Sequence, residues 1–487
     1  MARTRSSQTD YAWQPRRRQL LVLSDQGQPR SIPTSFFGLP GRDRSWNPHA
    51  ASFVAANRPS LSALEIEAQL VPSADEINLR LKPGGIVGAV PLRSPDTHKI
   101  AAGLVVKPRF DWQDIGLLLH RIGWSAHPKI LEMPLVPGSA REVPPWVLAG
   151  PILKRLGQLV REIRKGFRMH EEVRQSPRGQ ILWDRYIREQ MAIGAFHRLP
   201  CRFPELGPDL LLQGYLRWGV ETVHMSLSPF TTSDVIARGL AHEADSILGL
   251  LEHVRAQVPD RRAFQQMLLG AGLPTEVFRQ GLQALGWLVD ERGLAGAAEL
   301  DGLAWAMPMH QLFERWVEHI VRQWAHGFGG QVKSAFRGET TVPIQWSRRS
   351  RTSMGSLIPD LVVRHGEDVY IIDAKYKGHF EELDDHRWAE LAEELRNEHR
   401  HDLHQVLAYA SLFEAKRIVA VLAYPMFAST WLRLSGSGHA SISADLAHGG
   451  RDLQLILTGL PLQLPEGRTT DDLIGQLHAI RTESRAT

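Results

Sequence analysis

The chain reads as an α/β protein: a mixed-sheet core in its last third, preceded by a β-rich region and a helical middle. Three observations predict this. The last third alternates a helix-period segment, a strand, two β-branched runs around a turn, a polar helix and buried strands, which is the order of a sheet covered by helices. The first third is broken by Pro and Gly into short runs. The middle third repeats apolar residues at helical spacing.

In chain order, the first region spans 1–150. Its segments "LSALEIEAQLV", "EINLRL", "GIVGAVPL" and "KIAAGLVVKPRF" read as short strands between turn signals. The second, 151–300, carries "PILKRLGQLVREIRKGF", "DVIARGLAHEADSILGLLEHV" and "TEVFRQGLQALGWLV", each with an apolar helical stripe. The third, 301–487, opens with the helix "QLFERWVEHIVRQWAHGF" and the strand "QVKSAFRG". A hairpin follows, then a polar helix ending near Phe413, the buried strand "RIVAVLAYP", the strand "LQLILTG" and a helix after Thr470.

The bulk numbers exclude several classes. A chain of 487 residues exceeds one ordinary core and implies about two to four domains. Hydrophobic residues at 43% and charged residues at 23% are the balance of a globular protein, not a disordered one. A net charge of +4 permits a nucleic-acid partner without demanding one. Arg3, Arg5, Arg16, Arg17 and Arg18 crowd the N-terminus, and Arg348, Arg349 and Arg351 form a second cluster. Each reads either as a solvated loop or as a phosphate contact. The single cysteine, Cys201, rules out an internal disulfide and fits a reducing cytosol. No signal peptide is visible, and the apolar run from Ile418 is too short for a bilayer, so a cytoplasmic protein with no membrane partner is expected. No Gly-Lys dipeptide occurs, so the chain has no phosphate-binding P-loop, and nucleotide hydrolysis would fall to another chain.

The chemistry concentrates in "IPDLVVRHGEDVYIIDAKYK", residues 358–377. An unpaired carboxylate inside an apolar stretch is costly, so it is normally paired or bound to metal. "HGED" is a turn between two β-branched runs. With the turn centred between Gly366 and Glu367, Asp360 falls opposite Asp373, with Cβ atoms roughly 4.5–5.5 Å apart. Two such carboxylates can share a hard cation. Lys375, two residues after Asp373, projects from the same strand face. Beside a metal it can orient water or neutralise charge on a phosphate. The alternative is an ordinary hairpin with an internal Asp–Lys ion pair. The combination of Pro-Asp, a hairpin, an apolar lead-in and Asp-Ala-Lys is what favours the metal site.

Two helices can supplement it. Glu314 lies on the helix whose apolar face is Leu312, Phe313, Trp316, Val317 and Ile320, and reads as a further metal ligand or as a solvated residue. Gln405 and Tyr409, four apart, share a helical face and can hold a phosphate or orient the lysine; otherwise they are incidental to a helix packing Leu407, Ala408 and Leu412. His399, His401 and His404 lack the cysteine partners of a closed zinc site, and His379 and His386 are outer candidates only. Cys201 reads as a small core residue.

The order Glu314, Pro359-Asp360, Asp373-Ala374-Lys375, Gln405 and Tyr409 resembles the PD-(D/E)xK nuclease superfamily in its Gln-xxx-Tyr variant. "MPMHQLFERWVEHIV", "IPDLVV", "IIDAKYK" and "DLHQVLAYA" resemble the McrC family, the nuclease subunit of the McrBC modified-cytosine restriction system. Upstream, "GIVGAVPL" with "VVKPRFDWQDIGLLLHRIGW", and "SPRGQILWDRY" with "LPCRFPELGPDLLLQGYLRWGV", are similar to its N-terminal and central regions. The likeness covers most of residues 65–430. The first sixty residues match nothing in it, 233–279 align by helical character alone, and "GHFEELDDHRWAELAEELRNEHR" is an inserted charged segment.

The resemblance implies a restriction-endonuclease-like PD-(D/E)xK core in 301–487. It implies Mg²⁺, or Mn²⁺ in its place, on Asp360, Asp373 and Glu314, with Lys375 catalytic and Gln405 and Tyr409 supporting it. The implied activity is DNA phosphodiester hydrolysis in a restriction or phage-defence complex, on DNA that includes modified-cytosine DNA. A separate AAA+ subunit, a GTPase or an ATPase, is implied as partner. The N-terminal region would engage that partner, and the middle region would link and contact DNA. Two other functions remain open: a non-catalytic activator of the AAA+ ring, and a stand-alone repair nuclease. If the Arg348, Arg349 and Arg351 loop touches the DNA backbone, affinity falls with salt through it.

Overall fold

The computed structural model describes residues 19–32, 46–72, 77–139, 142–163, 166–207, 210–260, 262, 264, 275–289, 302–346, 354–378, 380, 393–448 and 451–483. Both arginine clusters, His379, His386 and most of the inserted charged segment lie outside them. The chain is mixed α/β, with a β-rich N-terminal region. It forms two compact units, one of Met1–Pro144 with Ala298–Thr487 and one of Pro145–Ala297.

The first unit holds two large sheets. One has the order Gln19–Ser24, Ile100–Lys107, Ile86–Arg93, Trp305–Pro308, Lys129–Ile130. Its central strands are buried almost throughout, so they read as continuous apolar runs and not as alternation. The strand Trp305–Pro308 pairs antiparallel with Ile86–Arg93, so sequence from the start of the third region completes the N-terminal sheet. The region read as short strands also contains two helices, Trp46–Ala63 and Trp112–Arg121. The first carries Pro59 inside it and only a weak apolar stripe, which hid it from periodicity. Asp111 caps the second by accepting a hydrogen bond from the Gln113 backbone N–H.

The other sheet has six strands in the order Gln331–Ser334, Leu361–His365, Asp368–Ala374, Arg417–Met426, Arg451–Pro461, Ser441–His448. The hairpin is antiparallel and its register pairs Leu361 with Ile372 and His365 with Asp368, as the turn chemistry predicted. Asp368–Ala374 then pairs in parallel with Arg417–Met426, which is buried along all its length. The strand expected from "QVKSAFRG" ends at Ser334, where a 3-10 turn begins. A helix, Ala428–Gly436, and the edge strand Ser441–His448 were not legible.

The helix Met309–His326 covers this sheet. Leu312, Phe313, Trp316, Val317, Ile320, Val321 and Trp324 are buried along one stripe. Burying each such side chain contributes about 1.5–3 kcal/mol, which is what seats the helix. Trp316 Nε1 donates to the Pro461 carbonyl at 3.0 Å and fixes the helix in rotation. The helix Glu393–Ala410 lies beside the strands Arg417–Met426 and Asp368–Ala374.

The second unit carries the helices Trp146–Glu162, Val235–Leu250 and Glu276–Val289, as their periodicity predicted, and a fourth, Leu210–Leu227, in the segment read only for its family likeness. It also holds a three-stranded sheet of Gly166–Arg174, Leu199–Gly207 and Gln180–Ile181 that periodicity did not predict. Cys201 is fully buried in that sheet. Among the described residues, no helix is long and apolar enough to cross a membrane.

Candidate active site

The hairpin brings its two aspartates to the same end of the six-stranded sheet. Asp360 precedes the first strand, and its Oδ2 accepts the Ala374 backbone N–H at 2.8 Å. Asp373 is the penultimate residue of the second strand and is 1% exposed. Lys375 continues the ladder, donating its N–H to the Ala423 carbonyl at 2.8 Å. Side chains alternate along extended backbone, so Lys375 returns to the face of Asp373. Its Nζ lies 2.7 Å from Asp373 Oδ2. That contact is an ion pair to a carboxylate oxygen that is itself buried.

The helix Glu393–Ala410 supplies the next layer. His399, Asp402, Gln405 and Tyr409 recur every three or four residues, so they share one face. Lys375 Nζ donates to Gln405 Oε1 at 2.9 Å, and Gln405 Nε2 donates to Tyr409 Oη at 2.8 Å. The tyrosine thereby sets the amide orientation that turns an oxygen toward the lysine. One turn earlier, Lys377 Nζ donates to Asp402 Oδ1 at 3.1 Å and lies 3.7 Å from Glu398. Tyr424 Oη donates to Asp402 Oδ2 at 3.4 Å and sits 3.3 Å from His399 Nδ1. Lys377, Asp402 and Tyr424 were missed in the sequence. The available signal was the spacing: Lys377 is two residues beyond Lys375, and Asp402 is three before Gln405.

Glu314 enters from the helix Met309–His326. Its carboxyl is pushed up to about 7 by burial, opposed by Arg315, and then raised by Asp373. Asp360 is held well above the carboxylate range by burial first, then by the charges of Asp373 and Glu314; the Ala374 N–H and Lys375 only partly offset this. Desolvation pulls the Lys375 ammonium down, but Asp373, Asp402 and Asp360 outweigh it, so its pKa is raised. The Tyr409 hydroxyl is also pushed up, by burial first, with Asp373 and Asp360 adding to it. Glu314, Asp360, Asp373, Lys375, Gln405 and Tyr409 are therefore one electrostatic neighbourhood.

The donor set is oxygen-rich and short of positive charge. Among the described residues no three His, Cys, Asp or Glu side chains close on a common point as a ready-made cage. The three carboxylates nonetheless fit a hard cation in their chemistry: burial and then the charge of Asp373 push up both Asp360 and Glu314, and a bound cation would offset that cost. His401 and His404 are exposed, while His399 is buried against Tyr424, so the histidines do not form a zinc set.

The model of a protein family, the McrBC 5-methylcytosine restriction system component, matches residues 147–425. The chain belongs to that family. The match runs through both compact units and ends within the buried strand Arg417–Met426 that flanks Asp373. It agrees with the McrC likeness of the motifs. No curated protein matches the chain. Two solved structures are similar to it at low scores. One is a refined half-complex from a tetradecameric assembly of Thermococcus gammatolerans McrB AAA+ hexamers with bound McrC: TM-score 0.44, 13% identity, covering 95% of this chain and 100% of that one. The other is a cryo-EM structure of the Thermococcus gammatolerans McrBC complex: TM-score 0.27, 13% identity, covering 63% of this chain and 88% of that one.

Proposed function

We propose that this McrBC-family chain is the Mg²⁺-dependent DNA endonuclease subunit of a restriction or phage-defence system, built on a PD-(D/E)xK core in 301–487. The observation that carries the reading is the gathering of Glu314, Asp360 and Asp373 beside Lys375, whose Nζ lies 2.7 Å from the buried Asp373 Oδ2. A scaffold gains nothing from buried charges that repel one another.

Glu314, Asp360 and Asp373 would hold the metal. When bound, Mg²⁺ (or Mn²⁺) supplies Lewis acidity toward the scissile phosphate and its attacking water. The protein's own groups do the rest. The raised pKa keeps Lys375 an ammonium at neutral pH, so it serves as a cation and hydrogen-bond donor to charge developing on the phosphate, not as a base. Gln405 fixes that ammonium, and Tyr409 fixes Gln405. The Ala374 N–H restrains Asp360.

The family description names 5-methylcytosine, and DNA with modified cytosine is the proposed substrate. A separate AAA+ NTPase, using GTP or ATP, is the proposed partner, engaged by the N-terminal region; the middle region would contact DNA. The test is cleavage of long modified and unmodified DNA by the chain co-purified with its operon partner, with Mg²⁺ and GTP or ATP. Nucleotide-dependent cleavage that Asp373→Ala abolishes supports the proposal. An NTPase that co-purifies and is stimulated, with no Asp373-dependent cutting, would establish the activator instead. Cutting without any partner would establish a stand-alone nuclease.

A further inference from the structure

The residue after the catalytic-site lysine points the other way. Tyr376 is 5% exposed, and its hydroxyl donates to Asp25 Oδ2 at 2.6 Å. Asp25 belongs to the N-terminal sheet region, 351 residues away in sequence, and is 1% exposed. Its other oxygen accepts the Arg109 backbone N–H. The Arg109 guanidinium stacks over the Tyr376 ring at 4.8 Å and over Phe110 at 5.1 Å. Phe110 in turn packs against Phe427, with centroids 4.9 Å apart. Asp25 is itself tied down, since its N–H donates to the Lys107 carbonyl at 2.9 Å.

A buried carboxylate is expensive unless both oxygens are used, and here both are, one of them by a tyrosine just past the end of a strand of the other large sheet. The strand proper ends at Ala374, and among the described residues its backbone bonding to the neighbouring strand continues beyond that point through the Lys375 N–H bond to Ala423. A second restraint is needed to fix the rotation of residue 375. The Tyr376 anchor provides it on the opposite face.

We propose that Asp25 and Tyr376 are positioning residues for Lys375: the N-terminal sheet grips Tyr376 through Asp25 and Arg109 and so aims the Lys375 ammonium at Asp373 and Gln405. The N-terminal region is then a structural part of the active centre and not only an adaptor. The kinetic half of this inference rests on the nuclease reading above; the structural half does not.

The experiment compares wild type, Tyr376→Phe, Asp25→Asn and the double variant as full chains. The two readouts are DNA cleavage with the NTPase partner and amide hydrogen exchange of the chain alone. We expect kcat to fall roughly 10-fold or more at unchanged KM for DNA, because a small misplacement of a catalytic group is expensive. Exchange at residues 375–377 should quicken while the strand 417–426 keeps its protection. The double variant should lose no more than the worse single, since both break one contact. Wild-type kcat with unchanged exchange at 375–377 in both singles would overturn the inference. So would strictly additive losses, or a loss of protection spread through 417–426, which would mark a merely structural role. If wild type itself does not cleave, the nuclease reading fails, and local exchange with its non-additivity alone decides the grip on residue 375.

Discussion

Glu314 and Glu318 stand one turn apart on the same helix and live in opposite environments. Glu318 is clamped by Arg315 at 2.5 Å and Arg322 at 2.7 Å. Burial works against its charge, but the Arg322 and Arg315 contacts overcome this and hold its carboxyl below the usual range. Burial pushes the Glu314 carboxyl up to about 7, with Asp373 adding to it and Arg315 and Lys375 only partly opposing. The sequence "FERWVEHIVR" contains both, and nothing in the spacing separates the structural glutamate from the strained one. The difference teaches where the molecule tolerates electrostatic cost: at the sheet end that gathers the carboxylates, and not along the flank of the same helix.

The comparison can be broken most sharply at its charged centre. If the proposed nuclease function holds, Lys375→Ala or Asp373→Ala should reduce DNA cleavage by at least ~10³-fold, the scale of removing a main electrostatic group from a phosphoryl-transfer site. Complex assembly and the thermal midpoint of Lys375→Ala should stay close to wild type. Loss of assembly in the lysine variant would make it a structural group. A gel assay of supercoiled DNA beside a pull-down of the partner separates the two.

The next effect is on pH. Glu314 titrates near 4.5 unfolded and about 7 folded, so between those values the folded state binds the extra proton. Metal-free stability from this group therefore falls as pH rises from about 4.5 to about 7, by on the order of 3 kcal/mol, and is flat above. Glu314→Gln should flatten that slope in urea titrations run without metal. Added Mg²⁺ should restore stability above pH 7 in wild type and not in the variant. Identical pH profiles for the two proteins would remove Glu314 from the crowded set.

Glu318→Gln should do the reverse. It leaves Arg315 and Arg322 without their carboxylate and should cost ~1–3 kcal/mol of stability with the Mg²⁺ dependence of cleavage unchanged. A shifted Mg²⁺ midpoint would erase the distinction between the two glutamates. The smallest effect is expected at Tyr409→Phe, which frees Gln405 to rotate: a ~10-fold lower kcat. Full activity would make the Gln405–Tyr409 bond incidental.

Much of this site was legible because its parts are local. The turn "HGED" set the hairpin and its register, and that register alone brings Asp360 to Asp373. Helical spacing put Gln405 and Tyr409 on one face, and they do bond each other. Strand alternation put Lys375 on the face of Asp373. What spacing cannot supply is which face of which helix meets the sheet end. The contact between Lys375 and Gln405 spans 30 residues, and that between Tyr376 and Asp25 spans 351. The helix Trp46–Ala63 escaped for another reason: its stripe is weak and carries Pro59, so local preference argues against a helix that packing nonetheless forms.

The sequence by itself determined the local devices: the hairpin register, the alternation that pairs Asp373 with Lys375, and the helix stripe that buries Trp316 and Trp324. These follow from backbone periodicity and turn chemistry, which act over a few residues. Only the tertiary structure decided that Glu314 and not Glu318 faces the aspartates, that the strand Trp305–Pro308 completes the N-terminal sheet, and that Asp25 reaches Tyr376. Those outcomes depend on how two sheets and their covering helices fill common space, and close packing of distant segments leaves no mark at fixed spacing in the chain.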